Sequence, residues 1–574
     1  MKLKKILFVL TLISAPIITT GCNNTVFNNK QASLSVVTDG YGNVVADKYS
    51  GSVGDTITIT ITPNQGYSVK EAYFNNIEVQ VKNNKCKVTF IKEGDNEFKI
   101  TFKKTGDSSD SGSGTTEEGG YTKLTNKGIN YENVGESSGS IATPSTGNSK
   151  IIIVPVQFSD LSTKWTDTRL NSLDVASKGT SNTYWESLES YYNKTSYGKL
   201  NLDISIADVI TPTMTASNFT SLTDDYGTET LTLIDEIYSK ITVNGENVAN
   251  NYTKYDSNND DYIDGIWFIY NEFDMDNVDS DKYWAYTYWY YTDSDRSTSL
   301  DDCAIGTFAN MAAAFLYEQD NNGYDAHTLI HETGHMLGLD DYYSYDSIDY
   351  GYLGGLDMMD FNIGDHNAFS KYALNWVNPY LINSNSGRVT LKPFESSGDC
   401  LIIPSSYFNN SAFSEYLIIE YYTPTGLNKL DSSTNYGNYP KFFSESGLLI
   451  YHVDARLYQY KYQSGEYTLG NVLSSSYTSI PETSGYNYYS VASSNTQSYQ
   501  NNGNALVTLL GRDKVSYYNN TNASNKSLFK QGDKITSSSF NKNAFSKFNT
   551  GSSMNYTLNV ESITNENAII TFSK

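Results

Sequence analysis

Residues 326–341 read AHTLIHETGHMLGLDD, and this stretch decides how the chain is read. His331 and His335 are four apart, so on an α-helix both imidazoles leave one face about 40° apart. Glu332 lies beside His331 on the helix, within reach of a water shared with a metal ion. Asp325 is the predicted N-cap, and Ala326, Leu329, Ile330 and Leu337 form the apolar face. His-Glu-x-x-His is the ligand-plus-base pattern of a zinc peptidase site. The chain has five histidines in 574 residues, so chance would produce the pattern in only about two such chains in a thousand.

The residues after the helix supply the third ligand. Gly338 stands where a sharp turn is required, and that turn would bring the residue three further on back to the metal. That residue is Asp341, whose carboxylate is an acceptable zinc ligand. Asp340 is adjacent, but spacing favours Asp341. His327, one turn before His331, is expected to support the site or face solvent rather than to ligate. Met358 and Met359 follow some two dozen residues later, and Met359 is taken as a methionine on a tight turn beneath the metal. His366 has two open readings, one lining the cleft near the developing oxyanion and the other capping local structure.

Upstream, Ile151–Val156 is an apolar run of buried-strand type, and a helix is expected through Trp185, Leu188, Tyr191 and Tyr192. Leu202, Ile204 and Ile206 alternate as a strand, Leu231, Ile234, Tyr238 and Ile241 recur at helical spacing, and Gly265–Tyr270 is another apolar strand. Strands alternating with helices predict an α/β or α+β domain. Between these elements, Asp256, Asn258, Asp260, Tyr262 and Asp264 follow the ligand rhythm of a calcium loop, with Tyr262 offering its backbone carbonyl. Glycine is missing at the sixth position (Asp261) and glutamate at the twelfth (Trp267), so a solvated acidic turn is the competing reading.

Four segments taken together carry a resemblance: HETGHMLGLDDYY, DMMD…GDHNAFSKYALNW, ESYYNKTSYGKL and SGLLIYHVD. From about Lys150 to Asp454 the chain resembles the immune inhibitor A family of secreted bacterial metallopeptidases. The resemblance implies a metzincin-like catalytic domain, a catalytic Zn2+, bound Ca2+ and action on extracellular proteins. It also agrees with aspartate as third ligand, here Asp341. Such peptidases often carry a longer pro-segment, and none is evident before Lys150. His452, in the family-like strand, is read as a buried structural histidine.

The rest of the chain sets the context. Forty basic against 64 acidic residues give a net charge of −24, which disfavours nucleic acid as a partner. The basic start, the apolar run Ile6–Ile18 and the Gly21-Cys22 junction read as a signal peptide with a lipobox, Cys22 being lipidated. The expected location is the outer face of the cell membrane, held by a lipid anchor on Cys22, with free secretion as the alternative. Cys86, Cys303 and Cys400 form no disulfide framework, although Cys303 and Cys400 could pair. The expected organisation is multidomain: residues 1–22 signal, 23–31 tether, 32–104 a small all-β module, 105–149 linker and undefined segment, 150–386 an α/β (α+β) metzincin-like zinc peptidase domain, and 387–574 a β-rich C-terminal region. Protein or peptide substrates follow. A surface adhesin with an inert peptidase-like domain is the rival from another class, and a hydrolase acting on something other than peptides is a further alternative.

Overall fold

Gly265–Tyr270 and Thr307–Ala312 are buried at every residue, the pattern of parallel strands covered on both faces. They lie in a five-stranded sheet of order Leu200–Ile206, Gly147–Val156, Gly265–Tyr270, Thr307–Ala312, Tyr286–Trp289. The first three junctions are parallel, and only the edge strand Tyr286–Trp289 runs antiparallel. The computed structural model describes most of residues 31–104 and 118–574, the longest undescribed stretches within them being 290–303 and 477–487. Cys22, Cys303 and the signal segment lie outside the described residues. The fold is mixed α/β with more strand than helix, and the chain divides into two compact units, Met1–Gly114 and Thr115–Lys574. Among the described residues no helix is long and apolar enough to cross a membrane.

The first unit is all β, as its alternation predicts. In Thr56–Pro63 the isoleucines Ile57, Ile59 and Ile61 are buried while the threonines between them are not. Together with Phe98, Ile100 and Phe102 they fill a core between a five-stranded and a three-stranded sheet.

In the second unit the expected elements form with adjusted ends. The helix read through Trp185 begins at Leu188 and ends at Thr195, because Ser187 and Ser190 close a capping box at its start. The helical spacing from Leu231 becomes a helix, Thr228–Ile237, followed by a 3-10 turn, Tyr238–Lys240.

A six-stranded sheet joins the two halves of this unit, in the order Val507–Leu509, Gly447–Asp454, Glu415–Tyr422, Cys400–Pro404, Tyr380–Ile382, Tyr121–Lys123. Its two faces serve different cores. Leu401, Ile403, Leu417, Ile419, Leu448 and Ile450 pack with Val389, Leu558, Ile570 and Phe572 of a four-stranded C-terminal sheet. Ile402, Tyr416, Ile418, Leu449, Tyr451 and Val453 point the other way, into the core that carries the His327–Met336 helix. Alternation with both faces buried explains why every residue of Glu415–Tyr422 is buried. The 386/387 boundary drawn from the sequence therefore falls inside one compact unit. Tyr121–Lys123, in the segment the sequence left undefined, forms an edge of the shared sheet opposite Tyr380–Ile382.

Candidate metal centre

The helix carrying the histidines spans His327–Met336, and its buried side includes Leu329, Ile330 and Glu332 through Met336. Its N-cap is Ala326, without a side-chain cap bond, so Asp325 stands one residue too early for the predicted role. Its carboxylate still accepts the first-turn N–H of His327 at 2.9 Å, while its other oxygen takes the Tyr436 hydroxyl. Tyr192 donates to the Ile330 carbonyl at 2.6 Å and the Trp289 indole to that of His335 at 2.9 Å. These two bonds fix the helix against its neighbours.

After the helix the backbone turns through Gly338, at φ +100°, a conformation only glycine adopts freely. A side chain there would also collide with Tyr131, whose Cβ lies 2.4 Å from where a Cβ would stand. The turn delivers Asp341. Its Oδ1 lies 3.0 Å from His331 Nε2 and 3.3 Å from His335 Nε2. Among the described residues this is the one group of three His, Cys, Asp or Glu side chains whose ligand atoms converge, all within 4.8 Å. Asp340 is not part of it.

The donors fit a tetrahedral ion. Zinc bonds of about 2.0–2.1 Å put neighbouring ligands about 3.3–3.5 Å apart, close to the two separations from Asp341. The tautomers agree as well. His331 Nδ1 is 2.9 Å from the Met358 carbonyl and His335 Nδ1 is 2.7 Å from that of Leu339. A carbonyl only accepts, so each ring carries a proton on Nδ1, which leaves Nε2, the nitrogen facing Asp341, as the atom available to a metal. Burial opposes charge on both imidazoles, yet the Asp341 carboxylate outweighs it and raises both.

Glu332 is 7% exposed, and Thr287 on the antiparallel edge strand lies 3.0 Å from its Oε2 and 2.9 Å from its backbone carbonyl. His327 stays out of the ligand group. Its Nε2 meets the Asn362 carbonyl at 3.2 Å, its ring packs on Tyr436, and burial followed by the neighbouring His331 pushes it down to about 3. Met359 is buried beneath the helix, and its carbonyl accepts from Tyr342 N at 2.8 Å.

His366 is buried and borders a small internal cavity together with Asp357, Asn362, Asp365 and Glu420. Its side chain has no exposed surface, its Nδ1 is held 3.0 Å from Asp357 Oδ1, and Tyr191, Tyr192 and Trp376 surround the ring. His452 is buried 3.0 Å from Glu415, as a structural histidine would be. Cys400 is buried and free.

The Asp256–Asp264 turn closes on its own backbone. Asp256 accepts from the N–H groups of Asn259, Asp260 and Asp261, and Asp260 from that of Tyr262. Asn258 donates to Asp260, and Asp264 ties Ser257 and Lys150 together. Asp261 takes the left-handed conformation, φ +69°, in the place where a calcium loop has glycine. The carboxylates do not gather as the three zinc candidates do, so the calcium expectation rests on the sequence alone.

Sequence reasoning missed Asp357, Thr287, Tyr192 and Trp289. Asp357 stood inside the DMMD segment, two before Met359. Tyr192 stood inside the ESYYNKTSYGKL segment, while Thr287 and Trp289 come from a distant strand with no local signature. No family model matches the chain, and no curated protein matches it.

Proposed function

We propose that this chain is a zinc-dependent endopeptidase of metzincin-like architecture acting on extracellular proteins or peptides. The observation that carries the reading is the convergence of His331 Nε2, His335 Nε2 and an Asp341 oxygen, with each Nδ1 bound to a backbone carbonyl. His331, His335 and Asp341 would hold the ion. Zinc bound there supplies a Lewis acid that polarises a carbonyl and acidifies water. Three protein ligands leave a fourth position open, the arrangement of catalytic rather than structural zinc.

The residues of the chain do the rest. Glu332 accepts a proton from the water attacking the scissile carbonyl and hands it to the departing amine. Thr287 restrains the Glu332 carboxylate, which limits its motion between those two tasks. Location outside the cell, with a lipid on Cys22, is part of the same proposal and is supported by the basic start and apolar run of the N-terminal sequence.

The decisive experiment is digestion of casein by wild type and Glu332→Gln, with zinc content measured on both. Wild type should bind one zinc and lose activity with a chelator, while E332Q should keep zinc and digest nothing. Full digestion by E332Q, or wild-type activity that ignores the chelator, would refute the assignment, and a wild type that digests nothing would favour the inert alternative.

A further inference from the structure

Asp357 lies two residues before Met359 in the left-handed conformation, φ +87°, where a non-glycine residue is strained and Asp or Asn is best tolerated. It is buried, and its two carboxylate oxygens accept four hydrogen bonds. Oδ1 takes the Met359 N–H at 2.9 Å and His366 Nδ1–H at 3.0 Å. Oδ2 takes the Asn367 N–H at 2.6 Å and the Ser370 hydroxyl at 3.2 Å.

Two carbonyls of the turn so held reach the metal centre. That of Met358 accepts from His331 Nδ1 at 2.9 Å. That of Met359 accepts from Tyr342 N at 2.8 Å, one residue after Asp341. A second route leads the same way: Ser370, donating to Asp357, receives the Tyr342 hydroxyl at 2.8 Å. His335 has its own local support in Leu339 and does not depend on this turn.

We propose that Asp357 is a positioning residue that sets the orientation of His331 and Asp341, two of the three metal ligands, by locking the Asp357–Asp360 turn. His366 serves it as a hydrogen-bond donor. The inference rests on the zinc reading of the site. It assigns a function to a buried carboxylate and a buried histidine that touch neither metal nor substrate.

The test compares zinc release to an excess chelator from wild type, Asp357→Asn and Leu558→Ala, well below their melting temperatures. Asparagine tolerates the same φ but offers one acceptor oxygen where the carboxylate offers two. L558A loosens the distant C-terminal core and controls for lost stability. D357N should release zinc about 10- to 100-fold faster, and L558A at the wild-type rate. An unchanged rate in folded D357N, or an equal rise in L558A, overturns the proposal. If D357N does not fold, Ser370→Ala should still release zinc several-fold faster, and no change there overturns it equally.

A second readout needs no metal. With isotope-labelled histidine, five residues give a readable spectrum, and the His331 Nδ1–H proton of the metal-free protein should be protected from exchange in wild type and exposed in D357N. Retained protection in D357N refutes the positioning role. A wild type that takes up no zinc but shows the protection change refutes the metal reading alone.

Discussion

Met359 Sδ occupies the place that a side chain on Gly334 would need: a Cβ built there would stand 2.4 Å from the sulfur. Gly334 sits between the two histidines on their helix, where glycine ordinarily costs about 1 kcal/mol relative to alanine. Close approach of the methionine floor is the physical reason for glycine here. Gly334→Ala should therefore destabilise by about 1–3 kcal/mol despite its better helix propensity, as read from denaturant unfolding. A more stable G334A would show that Met359 moves aside freely.

Zinc content separates the two neighbouring aspartates. Asp341→Ala should lose the metal, because Asp341 converges with both histidines. Asp340→Ala should retain it. Stoichiometric zinc in D341A, measured by elemental analysis, would move the third ligand elsewhere.

Thr287 gives a test of the general base that leaves the ligands untouched. Thr287→Val keeps the shape of the side chain and removes the hydroxyl 3.0 Å from Glu332. Loss of a hydrogen bond to a charged group should raise the barrier by about 1–2 kcal/mol, roughly five- to thirtyfold in kcat. Zinc content should not change. Wild-type kcat in T287V would mean that Glu332 needs no such restraint.

Stability should fall toward alkaline pH. Burial raises the Glu420 carboxyl from 4.5 to about 8, against the opposing charge of Lys371. The folded chain thus holds a proton that the unfolded chain has released, so the group's contribution is present below pH 4.5 and lost as pH rises toward 8. Glu420→Gln cannot ionise and should flatten that part of the profile. Parallel melting-temperature curves for wild type and E420Q between pH 5 and 8 would contradict the shift.

What could be read from sequence follows from how local each feature is. His331, Glu332, His335 and Asp341 lie within eleven consecutive residues, and one helix and one turn are enough to bring them together. Ile57, Ile59 and Ile61 announce their strand by alternation alone. Thr287 reaches Glu332 only because the antiparallel edge strand lies beside the helix, a pairing no spacing encodes. The flanks of His366, Asp365 and Asn367, say nothing of the rings packed on it, which are contributed by Tyr191, Tyr192 and Trp376. The 121–149 segment reads as featureless because its large apolar residues, among them Leu124, Tyr131 and Val134, stand singly among polar ones.

The segment leading into the Asp357–Asp360 turn is also tied to residues distant in sequence: Leu509 N bonds the Tyr352 carbonyl at 3.0 Å and Ala523 N that of Gly354 at 2.9 Å. The ligand motif can coil as soon as it is made, since its contacts are local, but the segment leading to its floor waits for partners synthesised much later. A nascent or partly exported chain would then carry the histidines without the scaffold that orients them. On the proposed reading, the peptidase would stay silent until residues 509–523 have been made and have docked.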